Sequence, residues 1–267
     1  MKIVRIRQRG EVVYGLLHGE RVEICQGTPF SKLIPTGEII PFPVGTILPP
    51  CTPSKMVAIW RNSRRYIESI GAPETIDLCY VIKPSSSFIG SGKTILLPSV
   101  SHKTIFEAEL GIVVGQRCKR ISEGDASKYI LGYTVVNEVT ASDIVPRDGS
   151  FPQHTRAKSF DTFGVFGPSI DTDFNPASAR IRAYQNGELQ QDFAVEDLVR
   201  GPYRILSELS HDMTLEPGDV VACGSSLGIQ PMHPGDEIVI EITGLGRLTN
   251  PVANEVLRCL PSGGKCD

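Results

Sequence analysis

The sequence predicts an α+β protein that is mainly β, and three observations support this prediction. Short stretches of alternating apolar and polar residues begin at Lys2 and recur along the chain, a pattern typical of half-buried strands. The 26 glycines and 20 prolines place turns at close intervals, which keeps the strands short. Helical patterns are confined to brief segments, 62–70 and 124–130. We therefore expect sheets joined by tight turns.

Composition and charge exclude several classes of protein. Of 267 residues, 40% are hydrophobic and 21% charged, enough to build a globular core. The 27 Lys and Arg against 30 Asp and Glu give a net charge of −3, which offers no long-range field for nucleic acid or an anionic membrane. Neither a signal peptide nor an apolar run long enough to span a membrane is evident. The seven scattered cysteines are typical of reduced thiols in a cytoplasmic protein.

The chain divides into two predicted domains and a tail. Residues 2–24 read as a small β-meander. The seven prolines of residues 28–53 favour an extended linker. We expect a small N-terminal β domain with this linker at 1–52, a larger second domain at 53–258 and a C-terminal tail at 259–267.

The second domain opens with a strand, a helix and another strand. Lys55 to Trp60 is apolar and rich in strand formers. Residues 62–70 favour a short helix that Gly71, Ala72 and Pro73 end. Tyr80 to Pro84 predicts the next strand.

An acidic pair lies on the strand predicted for 105–114. Glu107 and Glu109 are two residues apart, so both side chains project from the same face. The apolar run 110–114 that follows implies burial, and two buried like charges need a cation or a shared proton. A hard divalent ion bound by oxygen would satisfy this need. The alternative is a sheet edge with two solvated acids.

A third acid, Glu138, ends the strand predicted for 133–138. The crossover at 124–130 can return this strand beside the first one, which brings Glu138 to the acidic pair. Three carboxylates around Mg²⁺ would leave positions open for substrate and water. Such a site suits a substrate that carries its own chelating oxygens.

Eight motifs occur in order along the chain: 83–85, 89–90, 106–115, 132–137, 158–163, 186–188, 213–219 and 244–252. On these motifs the chain from Lys55 to Val252 resembles the fumarylacetoacetate hydrolase family, and the preceding segment resembles the small N-terminal domain of that family. The resemblance implies a mixed β-sandwich roll, a homodimer, and Mg²⁺ or Mn²⁺ held by a Glu-x-Glu pair and a third acid. Family members cleave C–C bonds in acylpyruvates or β-diketo acids, decarboxylate 2-oxo acids, or hydrate or isomerise related enols, so we expect a small anionic oxo-acid substrate.

The resemblance assigns roles to acids and a lysine. Glu107 and Glu109 occupy the Glu-x-Glu positions, and Glu138 stands where the family usually has Asp, so its longer side chain must coordinate from further back. Lys158 matches the family lysine that faces the bound substrate, where its charge holds a carboxylate or stabilises an enolate. The alternative is a structural pair with Asp161.

Further residues are assigned by the same resemblance. Gly224 and Ser225 fall where many members bind the substrate carboxylate through a backbone N–H and a hydroxyl. Lys83 lies near the site, either to bind substrate or in a structural role. Apart from the resemblance, His154 lies four residues before Lys158 and is a candidate catalytic residue at the cavity mouth; the alternative is a surface or packing residue.

The chain also departs from the family. The hydrolases carry a His and a Glu on a lid helix, where they activate water, and this chain has Tyr66 and Ser69 instead. Tyrosine, with a pKa near 10, is a poor base at neutral pH. Three arginines, at positions 61, 64 and 65, cluster on the presumed lid. They either recruit an anionic substrate or form a solvated helix face.

Three hypotheses follow. The first is a metal-dependent hydrolase of a C–C bond next to a carbonyl, in which Lys158 stabilises the enolate. The second is a decarboxylase, isomerase or other lyase, including a biosynthetic one, which needs no activated water and tolerates Tyr66, here as an acid. The third is a non-catalytic descendant, against which the retained acidic pair and lysine argue.

Overall fold

The computed structural model describes residues 1–42, 46–74 and 76–256. The predicted tail, 259–267, lies outside the described residues. Strands account for 44% of the residues and helices for 15%, which confirms the prediction of a mainly β protein.

The strands of the described residues are, in chain order, β1 (Lys2–Gln8), β2 (Glu11–His18), β3 (Arg21–Gly27), β4 (Leu33–Pro41), β5 (Ile47–Leu48), β6 (Met56–Ile59), β7 (Tyr80–Lys83), β8 (Phe88–Ile89), β9 (Ile95–Leu97), β10 (Thr104–Ile105), β11 (Ala108–Val114), β12 (Ile130–Glu138), β13 (Thr140–Ala141), β14 (Gly164–Asp171), β15 (Arg180–Gln185), β16 (Glu188–Ala194), β17 (Val220–Ala222), β18 (Glu237–Ile242) and β19 (Gly246–Asn254). The α-helices are α1 (Arg64–Ser69), α2 (His154–Lys158) and α3 (Pro202–Asp212). The crossover predicted as helical at 124–130 is a 3₁₀ segment, Glu123–Tyr129.

Two sheets form the body of the molecule. The larger has the spatial order β4-β3-β2-β1-β14-β12-β11-β17-β6-β7, with β5 also paired to β1 and β8 to β14. The smaller has the order β16-β15-β18-β19-β9, and β10 pairs with β13 apart from both. Most neighbours are antiparallel, but β17 runs parallel to β6 and β19 parallel to β9. The sheets are therefore mixed.

The N-terminal meander belongs to the larger sheet. Strand β1 pairs antiparallel with β14, with Lys2 opposite Asp171, so the predicted boundary after residue 52 falls between strands of one sheet. The prediction of an extended linker over 28–53 is wrong in part, because β4 lies within it and pairs with β3. Strand β4 is at the sheet edge, where the missing N–H groups of Pro35 and Pro41 are tolerated.

The core lies on both faces of the central strands. On one face of β11, Leu110 and Ile112 pack in the same cluster as Ile181 of the smaller sheet. On the other face, Val113 packs in a second cluster with Phe166 of β14. Burial on both faces explains why β11 reads as a continuous apolar run rather than an alternating one, and it makes the acidic residue inside β11 exceptional.

Two remaining sequence expectations concern membranes and thiols. Across the described ranges, no helix has the length and apolar character needed to cross a membrane. The described cysteines are free, and these are Cys25, Cys51, Cys79, Cys118 and Cys223.

Candidate functional site

A cavity of about 560 Å³ opens where β6 and β12 end and β11 begins. It gathers side chains from the lid helix α1, the acidic strands, α2 and the loop after β17. The predicted site residues that line it are Tyr66, Glu107, Glu109, Glu138, His154, Lys158 and Ser225. The other two, Lys83 and Gly224, lie behind its wall.

The three acids share one face of the larger sheet because of the strand register. Glu109 in β11 lies opposite Val136 in β12, and the Glu138 N–H donates to the Glu107 carbonyl at 2.9 Å. Residues directly opposite each other in an antiparallel pair lie on the same face, and so do residues two apart along a strand. All three carboxylates therefore emerge together, as the sequence spacing indicates.

Lys158, the last residue of α2, places its ammonium among these acids. Its Nζ donates to Glu107 Oε2 at 3.0 Å and to the Thr140 hydroxyl at 2.8 Å, and it also contacts Glu138 Oε2. Its partners are thus the site acids and not Asp161.

A second ammonium, that of Lys83 in β7, supports Glu138 from inside the core. The side chain is fully buried, and Nζ lies 2.8 Å from Glu138 Oε1, close enough for an ion pair although the angle is not that of a hydrogen bond. Nζ also donates to the carbonyls of Val139 and Lys158, at 2.9 and 2.8 Å. Lys83 therefore bonds to groups of the protein and fixes the end of α2, and its predicted contact with substrate stays a prediction.

The electrostatics separate the three acids. Burial would raise the pKa of Glu138, but the charges of Lys158 and Lys83 lower it to about 2. Burial raises the pKa of Glu107, and burial together with repulsion from Glu138 and Glu107 raises that of Glu109 well above its usual value. Burial would lower the pKa of Lys158, but Glu107 and Glu138 raise it above the ordinary value. Lys158 is therefore charged at neutral pH.

Two of the three acids, Glu107 and Glu109, are suited to bind a divalent cation. Two ammonium groups, those of Lys158 and Lys83, face the three carboxylates, which leaves one negative charge unbalanced. Burial and the neighbouring acids raise the pKa values of Glu107 and Glu109, and a cation between these two would balance that charge. Two carboxylates with waters and substrate oxygens are an ordinary Mg²⁺ environment. No three acidic, histidine or cysteine side chains in the described part of the chain converge to hold one ion, and Lys158 contacts both Glu107 and Glu138. Ligation by Glu138 stays a prediction.

Gly224 orients the acidic pair from the loop after β17. Its N–H donates to Glu109 Oε2 at 2.6 Å, so this N–H holds a protein carboxylate, and its predicted contact with substrate stays untested. Its φ is +103°, and a Cβ would lie 2.9 Å from the Cβ of Asn62. Only glycine meets both demands.

Two further polar residues at the site were missed from the sequence. Gln191 of β16 accepts a hydrogen bond from the Ala108 N–H at 3.0 Å and donates to the Ser225 hydroxyl at 3.1 Å. Thr140 donates its hydroxyl to Glu107 Oε2 at 2.7 Å. Thr140 lies two residues after Glu138, a spacing that indicates a side chain close to the acids. Gln191 belongs to the smaller sheet, and no local pattern in the sequence indicates that it reaches the site.

The lid and α2 supply the remaining groups. Tyr66 faces the cavity from α1, whereas Ser69 is exposed and donates its hydroxyl to the Tyr66 carbonyl at 2.8 Å. The His154 ring meets the Trp60 ring edge-on, with 5.9 Å between centroids. Burial and the charge of Lys158 lower the pKa of His154 below its ordinary 6.5, so the imidazole is neutral at pH 7.

Comparison with known proteins identifies the chain's relatives. The family described as fumarylacetoacetate (FAA) hydrolase C-terminal matches residues 55–253, and one described as Rv2993c-like, N-terminal matches residues 1–50. A 4-hydroxyphenylacetate degradation bifunctional isomerase/decarboxylase of Salmonella dublin is 35% identical over 177 residues, 65% of this chain and 41% of the relative.

Solved structures share the fold along nearly the whole chain. A 5-carboxymethyl-2-hydroxymuconate delta-isomerase from Mycobacterium smegmatis has a TM-score of 0.87 at 33% identity, covering 96% of this chain and 100% of the other. A maleylpyruvate hydrolase from Sphingobium sp. SYK-6, in complex with manganese(II) and pyruvate, has a TM-score of 0.75 at 22% identity, covering 95% and 99%; at that identity the likeness concerns the fold alone. These neighbours confirm the predicted mixed β architecture, and the family match establishes that the chain belongs to the fumarylacetoacetate hydrolase family.

Proposed function

We propose that the protein is a divalent-metal-dependent enzyme that converts a 2-oxo acid or β-dicarbonyl substrate through an enolate. The observation that carries this proposal is the buried, charged Lys158 in the wall of a cavity, beside an acidic pair, Glu107 and Glu109, whose two charges it balances only in part. A scaffold protein has no use for such an arrangement, because uncompensated buried charge lowers stability.

Lys158 is the electrostatic partner of the developing enolate. Glu107 and Glu138 keep its ammonium charged and fix its position, so no reorganisation is needed when negative charge forms on a substrate oxygen. Lys83 contributes indirectly, since its bond to the Lys158 carbonyl holds the end of α2.

Two residues orient the substrate and the acidic pair. Because Gln191 donates to the Ser225 oxygen, the Ser225 O–H is free to donate to a substrate carboxylate. The Gly224 N–H fixes the Glu109 carboxylate. Glu107 and Glu109 are the residues that would hold Mg²⁺ or Mn²⁺, and such an ion, when bound, supplies Lewis-acid polarisation of the 2-oxo group.

Between the reaction types, decarboxylation or isomerisation fits the lid better than hydrolysis. Ser69 is turned away from the cavity and Tyr66 is a weak base, so α1 offers no pair of groups to activate water. The neutral imidazole of His154 lines the cavity and can move a proton on or off the enolate carbon. The relatives named as isomerase and decarboxylase support the same choice.

C–C bond hydrolysis is the second candidate, and one observation favours it. A neutral His154 in the cavity wall can serve as the general base for water in place of the missing lid pair. A small anionic oxo-acid substrate and a homodimer stay part of the proposal.

Two substrates distinguish the candidates. The protein is incubated with Mg²⁺ and either oxaloacetate or an acylpyruvate, and the release of CO₂ is compared with the release of carboxylic acid. Decarboxylation of oxaloacetate above the rate of free Mg²⁺ supports the first candidate, and carboxylic acid release from the acylpyruvate supports hydrolysis. No turnover of either, together with no Mg²⁺ binding by calorimetry, would refute the proposed function.

A further inference from the structure

Arg61 occupies an unusual position between β6 and the lid helix. Its φ is +56°, a left-handed conformation that a long side chain adopts only when its surroundings enforce it. The flanking residues provide that constraint. The Trp60 N–H donates to the Cys79 carbonyl at 2.8 Å. The Asn62 amide donates to the carbonyls of Arg200 and Cys223, at 3.0 and 2.7 Å. The backbone is therefore fixed on both sides of Arg61, and its side chain lines the catalytic cavity.

The guanidinium of Arg61 is stacked on an aromatic ring, and no carboxylate of the described residues forms an ion pair with it. Its Cζ lies 4.3 Å from the centroid of the Trp60 ring, which holds the group flat against one wall. Its Nε is buried and has no hydrogen-bond partner among the described residues. A buried donor without an acceptor is unfavourable, and the five N–H groups of arginine match a carboxylate in a bidentate arrangement.

The other charges of the cavity are already committed. Lys158 is bound to Glu107 and Glu138, and Glu109 accepts the Gly224 N–H. A substrate with a second anionic group would be repelled by the acids, and Lys158 has its donors engaged. Within the described part of the chain, Arg61 is the cationic side chain of the lining whose Nε has no hydrogen-bond partner. Because Nε itself is buried, a ligand in the cavity would meet the terminal nitrogens of the guanidinium.

We propose that Arg61 binds a second carboxylate of the substrate, so that the protein selects dicarboxylic 2-oxo acids over monocarboxylic ones. This inference rests on the proposed function, since it assumes that the acidic end of the cavity receives the 2-oxo acid group. Trp60 orients the guanidinium, and the fixed backbone avoids the entropy loss of ordering a free arginine.

The test uses matched ligands and a variant whose folding is favoured. The Mg²⁺-loaded protein is titrated by calorimetry with two pairs, 2-oxoglutarate against 2-oxopentanoate and 2-oxoadipate against 2-oxohexanoate, in which each pair differs by the terminal carboxylate. Arg61→Gly suits the left-handed backbone, and Arg61→Lys keeps the charge without the planar fork. The control is Arg65→Gln, because Arg65 is exposed and lies outside the cavity.

We expect the wild type to bind at least one diacid about tenfold more tightly than its matched monoacid, as a charged hydrogen-bonded pair provides. Arg61→Gly should abolish this preference within each pair, Arg61→Lys should retain part of it, and Arg65→Gln should retain all of it. Equal affinities within both pairs in the wild type, with the monoacids still bound, would overturn the inference and leave the proposed function standing. No binding of any 2-oxo acid would overturn both.

Discussion

Replacing Lys158 with methionine removes the positive charge that two site acids share. The ammonium is 7% exposed and contacts Glu107 at 3.0 Å, Glu138, and the Thr140 hydroxyl at 2.8 Å. Glu138 keeps Lys83 at 2.8 Å in the variant, so Glu107 is the acid that loses its cation. Breaking a buried ion pair by removing one partner costs about 3–5 kcal/mol, and we expect the lower end, about 3 kcal/mol at pH 8, because Lys83 and Thr140 remain.

The loss of stability in Lys158→Met should depend on pH in a defined direction. Burial already raises the pKa of Glu107 in the wild type, and removal of Lys158 raises it further. A carboxyl whose pKa is raised in the folded state binds more protons there than when unfolded, so its effect destabilises at high pH and is relieved as the pH falls toward the raised pKa. Glu138 keeps the charge of Lys83 at 2.8 Å, which is one of the two charges that lower its pKa, so the change at Glu107 sets the direction of the pH dependence. The difference between variant and wild type should therefore be smaller at pH 5 than at pH 8.

Urea unfolding of both metal-free proteins at pH 5 and pH 8 measures this effect. Lys128→Met is the matched control, because Lys128 pairs with Asp125 at an exposed site and its loss should leave the urea midpoint nearly unchanged. A Lys158→Met variant within 1 kcal/mol of the wild type at both pH values, against the roughly 3 kcal/mol expected, would refute the ion-pair arrangement.

Three other substitutions test the site. Glu109→Gln should raise the urea midpoint of the metal-free protein, because it removes a buried charge next to like charges, and should abolish Mg²⁺ affinity by calorimetry; a lowered midpoint would contradict the assigned repulsion. In the wild type, the acidic limb of the pH profile of kcat/KM should lie below pH 6.5, because burial and Lys158 lower the pKa of His154. His154→Gln should remove this limb. An unchanged profile would exclude His154 as the proton carrier. Gly224→Ala should destabilise by roughly 1–3 kcal/mol, more than Gly19→Ala, whose Cβ would meet open space, and equal losses would argue against the contact with Asn62.

Local patterns in the sequence were sufficient for the acidic site. The two-residue spacing of Glu107 and Glu109 is a property of any strand, and the apolar run after them indicates burial without knowledge of the partner strands. Glu138 was placed beside them because a short crossover returns the chain to the adjacent position.

The support behind the acids could not be predicted in the same way. Lys83 reaches the Val139 carbonyl across 56 residues of chain, and Gln191 reaches the Ala108 N–H across 83; neither contact leaves a local pattern. The prolines of residues 28–53 predicted a linker, because proline is excluded from central strands. It is tolerated in β4 because β4 lies at the sheet edge, and that position depends on which strands pair. The orientation of Arg61 depends on a left-handed backbone that its own residue type disfavours.

Enolate formation in this cavity is tested most directly by proton exchange. The protein is incubated with Mg²⁺ in D₂O and either pyruvate or 2-oxoglutarate, and the loss of the C3 proton signal is followed by NMR. Exchange breaks and re-forms only a C–H bond at C3 and needs neither C–C bond cleavage nor isomerisation, so it reports enolate formation, which the proposed reactions share. We predict exchange well above that of Mg²⁺ alone, and its loss in both Glu109→Gln and Lys158→Met. Exchange no faster than that of free Mg²⁺, or exchange that persists in both variants, would contradict the assignment of this cavity as an enolate-forming site.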